Sequence, residues 1–171
     1  MSSRLSPWAS ALALSAAGRL GGPAAPLAQA PTPHSNPAEF TRVAEEAIDR
    51  VCAPCHGWDV IGGNRRTVEE WDTVLRDMVA QGARANASEM RFIRDYVLWS
   101  YGRVAVNSAS ADALAAVLGI QPQTAQAMVE YRGRHGAFRN VDDLAKVPGL
   151  DRQVLVAQAE ALRFAVKEQS R

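Results

Sequence analysis

The chain has 171 residues, of which 47% are hydrophobic and 22% are charged, and its formal net charge at pH 7 is +1. This length suits one domain or two small ones, and the apolar content is sufficient for a core. Because the charges balance and no block of like charge occurs, the composition excludes a chain that binds nucleic acid through a large overall excess of cations. It leaves room for a local basic patch.

The first thirty residues have the organisation of an export signal. Arg4 gives a basic start, an apolar run covers residues 7–17, and Ala28-Gln29-Ala30 has the small residues of a cleavage site. An uncleaved membrane anchor is the alternative, but the apolar run is far shorter than the ~20 residues that span a bilayer. We therefore predict a signal peptide over residues 1–30, cleaved near Ala30, and a periplasmic mature protein without a stable membrane span.

Three helices are predicted between residues 38 and 103, after a short flexible linker at 31–37. A loop at 57–64 follows the first helix. A T-x-x-E capping box at 67–70 starts the second, and Ser88 is the predicted N-cap of the third. Apolar residues recur at helical spacing in each. The predicted inner faces are Phe40, Val43, Ala44, Ala47, Ile48 and Val51; then Val68, Trp71, Val74, Leu75, Met78 and Val79; then Phe92, Ile93, Tyr96, Val97 and Tyr101.

The segment Cys52-Ala53-Pro54-Cys55-His56 has the C-x-x-C-H pattern of c-type haem attachment. On one helical turn the two thiols face the same way, so each can form a thioether with one vinyl group of a single haem, and His56 can bind its iron. Zinc would need four ligands, and only His34 and His135 remain. A disulfide would close a very tight loop, and a thioredoxin-type site needs strands, none of which is predicted. The sequence therefore predicts one covalent haem c.

The iron of such a haem needs a sixth ligand or an open site, and four side chains are candidates. Met78 lies on the apolar face of the second helix with Trp71, and it is the predicted ligand; packing in the core is its alternative role. Met90, Met128 and His135 are the other candidates. A thioether ligand would raise the potential and suit electron transfer.

Arg65 and Arg66 precede the second helix. Guanidinium groups pair well with carboxylates, so these two side chains are candidates to bind the haem propionates; a solvated loop is the alternative.

Residues 38–103 resemble a family of small bacterial cytochromes c, which includes haem subunits and domains of periplasmic dehydrogenases. The resemblance is carried by Val51 to His56, Arg65-Arg66-Thr67, Glu70-Trp71, Met78 with Gly82-Ala83, and Ile93 with Tyr96. It implies that Met78 is the axial ligand and that the partner is a periplasmic redox protein, such as a dehydrogenase subunit.

A repeat occupies residues 104–171. The run Leu114-x-x-Val117-Leu118-Gly119-Ile120-Gln121 is echoed by Leu144-x-x-Val147-Pro148-Gly149-Leu150-Asp151, and a second helix follows each glycine turn. Between the two copies lies a predicted loop, 131–138, that contains a buried phenylalanine. The pattern predicts two helical hairpins.

This repeat resembles the tandem helix-hairpin-helix domain of the bacterial competence DNA receptor ComEA. The resemblance is carried by Val106 to Ser110, Leu114, Gly119-Ile120, Ala125, Tyr131-Arg132, Gly136, Phe138, Asp143-Leu144 and Val147 to Leu150. It implies binding of double-stranded DNA through its phosphates, without sequence preference. The candidate DNA-binding residues are Gly119, Ile120, Arg132, Arg134, Lys146 and Gly149, with Arg139 near them.

The chain departs from the family pattern where the second glycine of each hairpin would stand. Gln121 and Asp151 occupy those positions, so a β-carbon hinders close approach at both and a negative charge stands in the second. The net charge of residues 104–171 is only +1, which argues against strong duplex binding. The alternative is that the repeats form a compact helical module without DNA.

We therefore predict an all-α protein, with a small three-helix cytochrome c domain followed by a tandem helix-hairpin-helix domain. The predicted function is one-electron transfer by an exported cytochrome whose hairpins serve docking, for instance to a dehydrogenase subunit, or weak DNA binding. The alternative is a competence-like DNA receptor in which haem is structural or sensory. No catalytic triad is visible, and we do not expect an enzyme.

Overall fold

The structure is a computed structural model that describes residues 30–165. The predicted signal sequence lies outside the described residues, apart from Ala30 at its cleavage site. The described part is mostly helical and forms two modules, an N-terminal module of residues 31–103 and a C-terminal module of residues 104–165. Among the described residues, no helix combines the length and the apolar character that crossing a membrane requires.

Four helices form the N-terminal module: α1 (Pro37–Val51), α2 (Trp58–Gly62), α3 (Val68–Ala80) and α4 (Ala87–Tyr101). Side chains at the helix starts explain these boundaries. Asn36 accepts a hydrogen bond from the Glu39 amide at α1, and the predicted capping box of Thr67 and Glu70 is present at α3.

Two predictions about this module are wrong. The segment 57–64 is not entirely a loop, because it contains the one-turn helix α2. The third helix is capped by Asn86 and not by Ser88, which lies inside α4. Asn86 is the N-cap because Glu89 lies three residues after it and the two side chains form a reciprocal capping box, whereas Ser88 has no such partner.

The core of the N-terminal module forms where α1 packs against α4. Phe40 lies at its centre, 1% exposed, with its ring 5.8 Å from Trp99 and 6.5 Å from Tyr96. The buried residues are Phe40, Ala44, Ala47, Ile48, Val51, Ile61, Trp71, Ile93, Tyr96, Val97 and Leu98. The predicted inner faces of the first and third helices are therefore largely correct, whereas Val79 of the second is 50% exposed.

The C-terminal module contains α5 (Ala111–Leu118), α6 (Pro122–His135), α7 (Val141–Leu144) and α8 (Arg152–Ala157), and a 3₁₀ turn follows at Ala159–Ala161. Two short strands, β1 (Val104–Ala105) and β2 (Leu162–Arg163), pair in parallel. The prediction of no strands is thus wrong. The predicted loop at 131–138 is also wrong over its first five residues, because residues 131–135 belong to α6. Phe138 is buried, as predicted.

The buried side chains of the C-terminal module form a second core. Its members include Val106, Leu114, Val117, Leu118, Met128, Phe138, Leu144 and Leu155. Asn107 fastens the end of the chain to this core, because its side-chain amide donates to the carbonyls of Phe138 and Phe164 at 2.9 Å and accepts from the Phe138 amide at 2.8 Å.

The two modules join where α4 leads through Gly102 into β1 and packs against α5. A β-carbon on Gly102 would lie 2.1 Å from the carbonyl oxygen of Leu98 and 3.0 Å from Val117, so only glycine fits. Arg65 lies at the junction, where it donates to the carbonyls of Ser100 and Gly102 at 3.1 Å each and, across the junction, to the carboxylate of Glu160 at 3.3 Å. The junction is therefore closely packed and extensively hydrogen-bonded.

Candidate functional site

The thiol pair lies on a tight turn at the end of α1. Cys52 is the C-cap of that helix, and its amide donates to the carbonyl of Ile48 at 2.7 Å. The amides of Cys55 and His56 then both donate to the Cys52 carbonyl, at 3.1 and 3.4 Å. This turn brings the two cysteines and the histidine to one end of the helix.

The two thiols differ in environment. Cys52 is half-buried and Cys55 is exposed, and both are free. Burial raises the pKa of the Cys52 thiol, and the neighbouring Cys55 adds to the shift. Cys52 is therefore protonated at neutral pH, while Cys55 is open to reagents from outside.

Next to this turn lies a cavity of about 260 Å³, which we call the thiol cavity. Its walls come from all four helices of the module, and most of them are apolar. It is lined by Ile48, Cys52, His56, Val60, Ile61, Arg66, Trp71, Val74, Leu75, Met78, Ile93 and Val97. Val60 is 58% exposed, so the apolar surface continues from the cavity to the outside.

His56 is oriented by the main chain. Its Nδ1 lies 3.3 Å from the carbonyl oxygen of Gly57, and a carbonyl can only accept, so Nδ1 carries the proton of this hydrogen bond. The lone pair of the neutral ring is then on Nε2. A hydrogen bond from the second ring nitrogen to a carbonyl is typical of metal-binding histidines, because it fixes the tautomer and raises the basicity of the other nitrogen.

Trp71 forms a rigid wall of the thiol cavity. It is 3% exposed, and its indole nitrogen donates to the carbonyl of Tyr101 at 3.0 Å. The guanidinium of Arg66 lies 4.9 Å from the centre of the Trp71 ring. This contact positions the only cation among the lining residues.

Of the two arginines predicted to bind haem propionates, only Arg66 lines the cavity. Arg65 points to the junction between the modules, where it donates to Ser100, Gly102 and, at 3.3 Å, to the carboxylate of Glu160. The two side chains point in different directions, because neighbouring residues on the chain project to different sides. Arg65 therefore does not reach the predicted site.

Of the four candidates for the sixth ligand, only Met78 lines the thiol cavity. Met90 lies in a separate surface groove between α3 and α4. Met128 is fully buried in the core of the C-terminal module, and His135 is exposed on α6 with its ring 4.3 Å from that of Tyr131.

The donor set and walls of the thiol cavity suit a flat macrocycle with a covalent attachment. The Cys52 thiol and the His56 imidazole line this cavity, and Cys55 lies on the same turn. Apolar side chains form the walls, and a single cation is available for a carboxylate. The volume is slightly below the ~300–1,000 Å³ of sites that bury most of a drug-sized ligand, so a porphyrin held there would keep an edge outside. In the described residues, no three His, Cys, Asp or Glu side chains group as a metal site needs, which disfavours zinc.

The glycines of the two helical hairpins take the left-handed conformation, with φ of 63° at Gly119 and 80° at Gly149. The amides of Gly119 and Ile120 both donate to the carbonyl of Ala115, while the Leu150 amide donates to Val147. The turns thus follow the sequence pattern, but these backbone amides already donate to carbonyls of the same chain.

The residue after each turn occupies the N-cap position of the next helix. Gln121 precedes α6 and makes no side-chain cap, whereas the Asp151 carboxylate accepts from the Gln153 amide at 2.7 Å at the start of α8. The predicted negative charge at the second hairpin is therefore a helix cap, and it lies where an external anion would have to bind.

The predicted basic cluster is not a set of free cations. Arg132 donates to the carbonyls of Val106 and Ala109 at 2.6 Å each, and burial lowers its pKa. Lys146 lies 2.8 Å from Asp143. Arg139 lies 2.9 Å from the same carboxylate, and Arg134 lies 3.8 Å from Glu130. Arg132 is thus a structural residue, and the other three belong to exposed ion pairs.

Comparison with known proteins identifies the motif of the C-terminal module. Residues 100–163 match the family described as "Helix-hairpin-helix motif". This part of the chain is a helix-hairpin-helix region. A curated relative, the endonuclease/exonuclease/phosphatase family domain-containing protein 1 of Xenopus laevis, is 36% identical over 70 residues, a match that covers 41% of this chain. The chain spans 12% of the length of that relative. No solved structure matches the chain.

Several residues of the site had no part in the sequence prediction. Val60 and Ile61 line the thiol cavity because α2 folds over it, and the segment had been assigned to a loop. Trp99 was also missed, although an aromatic residue next to the predicted inner face of α4 was a signal for a second contact surface.

Proposed function

We propose that the chain carries one covalent haem c and transfers one electron at a time between proteins outside the cytoplasm. The observation that supports this proposal is that Cys52 and His56 line an apolar cavity, with Cys55 on the same tight turn. A cysteine pair for a structural or redox disulfide would not need such a cavity beside it, nor a histidine with its tautomer fixed.

Each residue of the site has a definite task in this proposal. Cys52 and Cys55 would hold the macrocycle by thioethers, and Nε2 of His56 would bind its iron. Met78 would bind the iron through its thioether sulfur, and Trp71 would exclude water. Bound there, the haem iron supplies a reversible one-electron change of oxidation state.

Arg66 is the proposed partner of a propionate carboxylate. One of its terminal nitrogens donates to the carbonyl of Asn64 at 3.3 Å, and its position over the Trp71 ring leaves the other N–H groups to donate in the plane of the guanidinium. The edge of the macrocycle near Cys55 and Val60 would stay outside, and a partner protein would approach there. The partner we propose is a periplasmic redox protein such as a dehydrogenase subunit, which agrees with the signal sequence predicted over residues 1–30.

The proposal is tested by producing the full chain in a bacterial host that matures c-type cytochromes. We expect the exported protein to start after Ala30, to gain the mass of one haem and to stain for haem on a denaturing gel. Replacing both Cys52 and Cys55 by alanine should abolish the stain. A protein of bare polypeptide mass from this host would refute the proposal.

The axial ligand is tested by replacing Met78 with leucine, which keeps the volume and removes the sulfur. The reduction potential should fall and the low-spin spectrum should change. Met90→Leu is the matched control, because Met90 lies on the other side of α3, and it should leave both unchanged. An unchanged spectrum for Met78→Leu would exclude it as the ligand.

A second candidate function is binding of double-stranded DNA, as in a competence-like receptor. The match of residues 100–163 to the helix-hairpin-helix motif favours it. Random duplex DNA at low salt should then shift the protein on a native gel, and the shift should weaken when Arg134 is replaced by alanine.

A further inference from the structure

The turn of the first hairpin faces the N-terminal module. Trp99, near the end of α4, lies directly over Gly119: a β-carbon on this glycine would be 2.7 Å from Cδ1 and Nε1 of the indole. It would also lie 3.1 Å from the β-carbon of Pro33, in the segment before α1. The first hairpin glycine is therefore covered by two parts of the same chain.

This contact is continuous with both cores. The Trp99 ring meets the buried ring of Phe40 edge-on at 5.8 Å, inside the N-terminal module. On its other side it lines a groove of about 380 Å³, to which both hairpin turns contribute, through Gly119 and Gly149. We call this groove the hairpin groove. Its outer wall is Pro33, His34 and Pro37, so the N-terminal module closes one side of it.

The charges of the C-terminal module favour this internal contact over a polyanion. Residues 104–165 contain six cations and six anions. Each of the six cations donates to, or pairs with, an oxygen of the chain itself: Arg132, Arg134, Arg139, Lys146, Arg152 and Arg163. Duplex affinity depends on neutralising phosphates with free cations, and this surface offers no net positive charge for it.

We propose that the hairpin turns are an internal docking surface, whose partner is the N-terminal module of the same chain, and that they are closed to duplex DNA. Trp99 and Pro33 take the place above the first turn, and the Asp151 carboxylate takes the place of an anion at the second. The two modules then act as one body. This inference does not rest on haem.

The two hairpin glycines provide a matched pair of variants for the test. Both have positive φ, so alanine is strained at either position. At Gly149 the new β-carbon would meet only the Thr124 hydroxyl at 3.7 Å, an ordinary contact, whereas at Gly119 it would strike Trp99. Any effect on the N-terminal module that only Gly119→Ala shows therefore reports the contact between modules and not backbone strain.

Hydrogen exchange of the full chain, followed by mass spectrometry, is the measurement. Gly119→Ala should increase exchange in peptides from residues 31–40 and 96–101, whereas Gly149→Ala should leave these peptides unchanged. Trp99→Ala should increase exchange around residues 111–124, and Val156→Ala, which removes an exposed side chain elsewhere in the module, should not. Equal exchange in the N-terminal peptides of the two glycine variants would overturn the proposal.

Duplex DNA gives a second readout. On this proposal, and contrary to the second candidate function above, the wild-type chain should not shift a short random duplex at low salt. A clear shift that Gln121→Glu abolishes would also overturn the proposal, because it would show that the first turn is open to phosphate. The haem stain tests the proposed haem function independently of hydrogen exchange and of the duplex shift. Failure of the haem proposal can therefore be told apart from failure of this one.

Discussion

Replacing Arg132 by leucine should destabilise the C-terminal module strongly, although the side chain lies on a helix that could present it to DNA. Its two N–H groups donate to the carbonyls of Val106 and Ala109 at 2.6 Å each. No other hydrogen bond to these two oxygens is present in the structure of residues 30–165. Leucine keeps the apolar part of the side chain, so the substitution isolates the loss of the two hydrogen bonds.

The size of the effect follows from these two contacts. Hydrogen bonds to a charged group contribute about 1.5–3 kcal/mol each. Because the site is only partly buried, we take the lower end of that range for both, which gives about 3 kcal/mol. For a urea dependence of about 2 kcal/mol per molar, the midpoint of unfolding should fall by about 1.5 M.

Urea unfolding followed by circular dichroism measures this change. Arg134→Leu is the matched control, two residues along the same helix, because its carboxylate partner is 3.8 Å away and its side chain is 69% exposed. It should change stability by no more than about 0.5 kcal/mol. Equal midpoints for the Arg132 and Arg134 variants would refute the argument that Arg132 is a structural residue.

Four further predictions concern stability. Gly133→Ala should stabilise the chain by about 0.5–1 kcal/mol, since a β-carbon meets nothing within 4 Å there and glycine is a poor helix former. Gly102→Ala should destabilise the chain by about 1–3 kcal/mol, because the new β-carbon clashes with the carbonyl of Leu98. Thermal unfolding of the two variants measures both changes. Asn107→Ala should cost about 2–3 kcal/mol, because it removes two hydrogen bonds between Asn107 and Phe138 and one between Asn107 and Phe164, and denaturant titration measures it. Hydrogen bonds from Arg139 and then from Lys146 hold the pKa of Asp143 well below its usual value. The stability that the ionised Asp143 contributes is complete above about pH 4 and is lost as the pH falls further. Asp143→Asn should therefore reduce the loss of stability in an acid titration, and an unchanged slope of stability against pH would contradict this prediction.

The helices were predictable because their signals are local. The capping box at Thr67 and the apolar spacing of α1 and α4 need only a few neighbouring residues, and the structure has both. The error at Ser88 shows the limit of reading one residue alone, since the glutamate three positions after Asn86 decides the cap. A reading of both ends of the capping box would have placed the start of α4 correctly.

The roles of the arginines could not be read from the sequence, because they depend on distant carbonyls. Arg65 donates to residues near position 100, and Arg132 donates to residues more than twenty positions earlier. The two strands were missed because each has only two residues, too few for a period-two pattern. The position of Trp99 over the first hairpin likewise depends on how the modules pack, which no local pattern specifies.

The parallel pairing of β1 with β2 determines the order in which the two modules can fold as the chain is synthesised from its amino end. Val104 opens the C-terminal module and pairs with Leu162, so this module stays open until nearly the last described residue is available. The four helices that surround the thiols are complete at Tyr101. An enzyme that modifies the cysteines could therefore act on a finished N-terminal fold while the rest of the chain is still incomplete, and deleting β2 should leave that step intact.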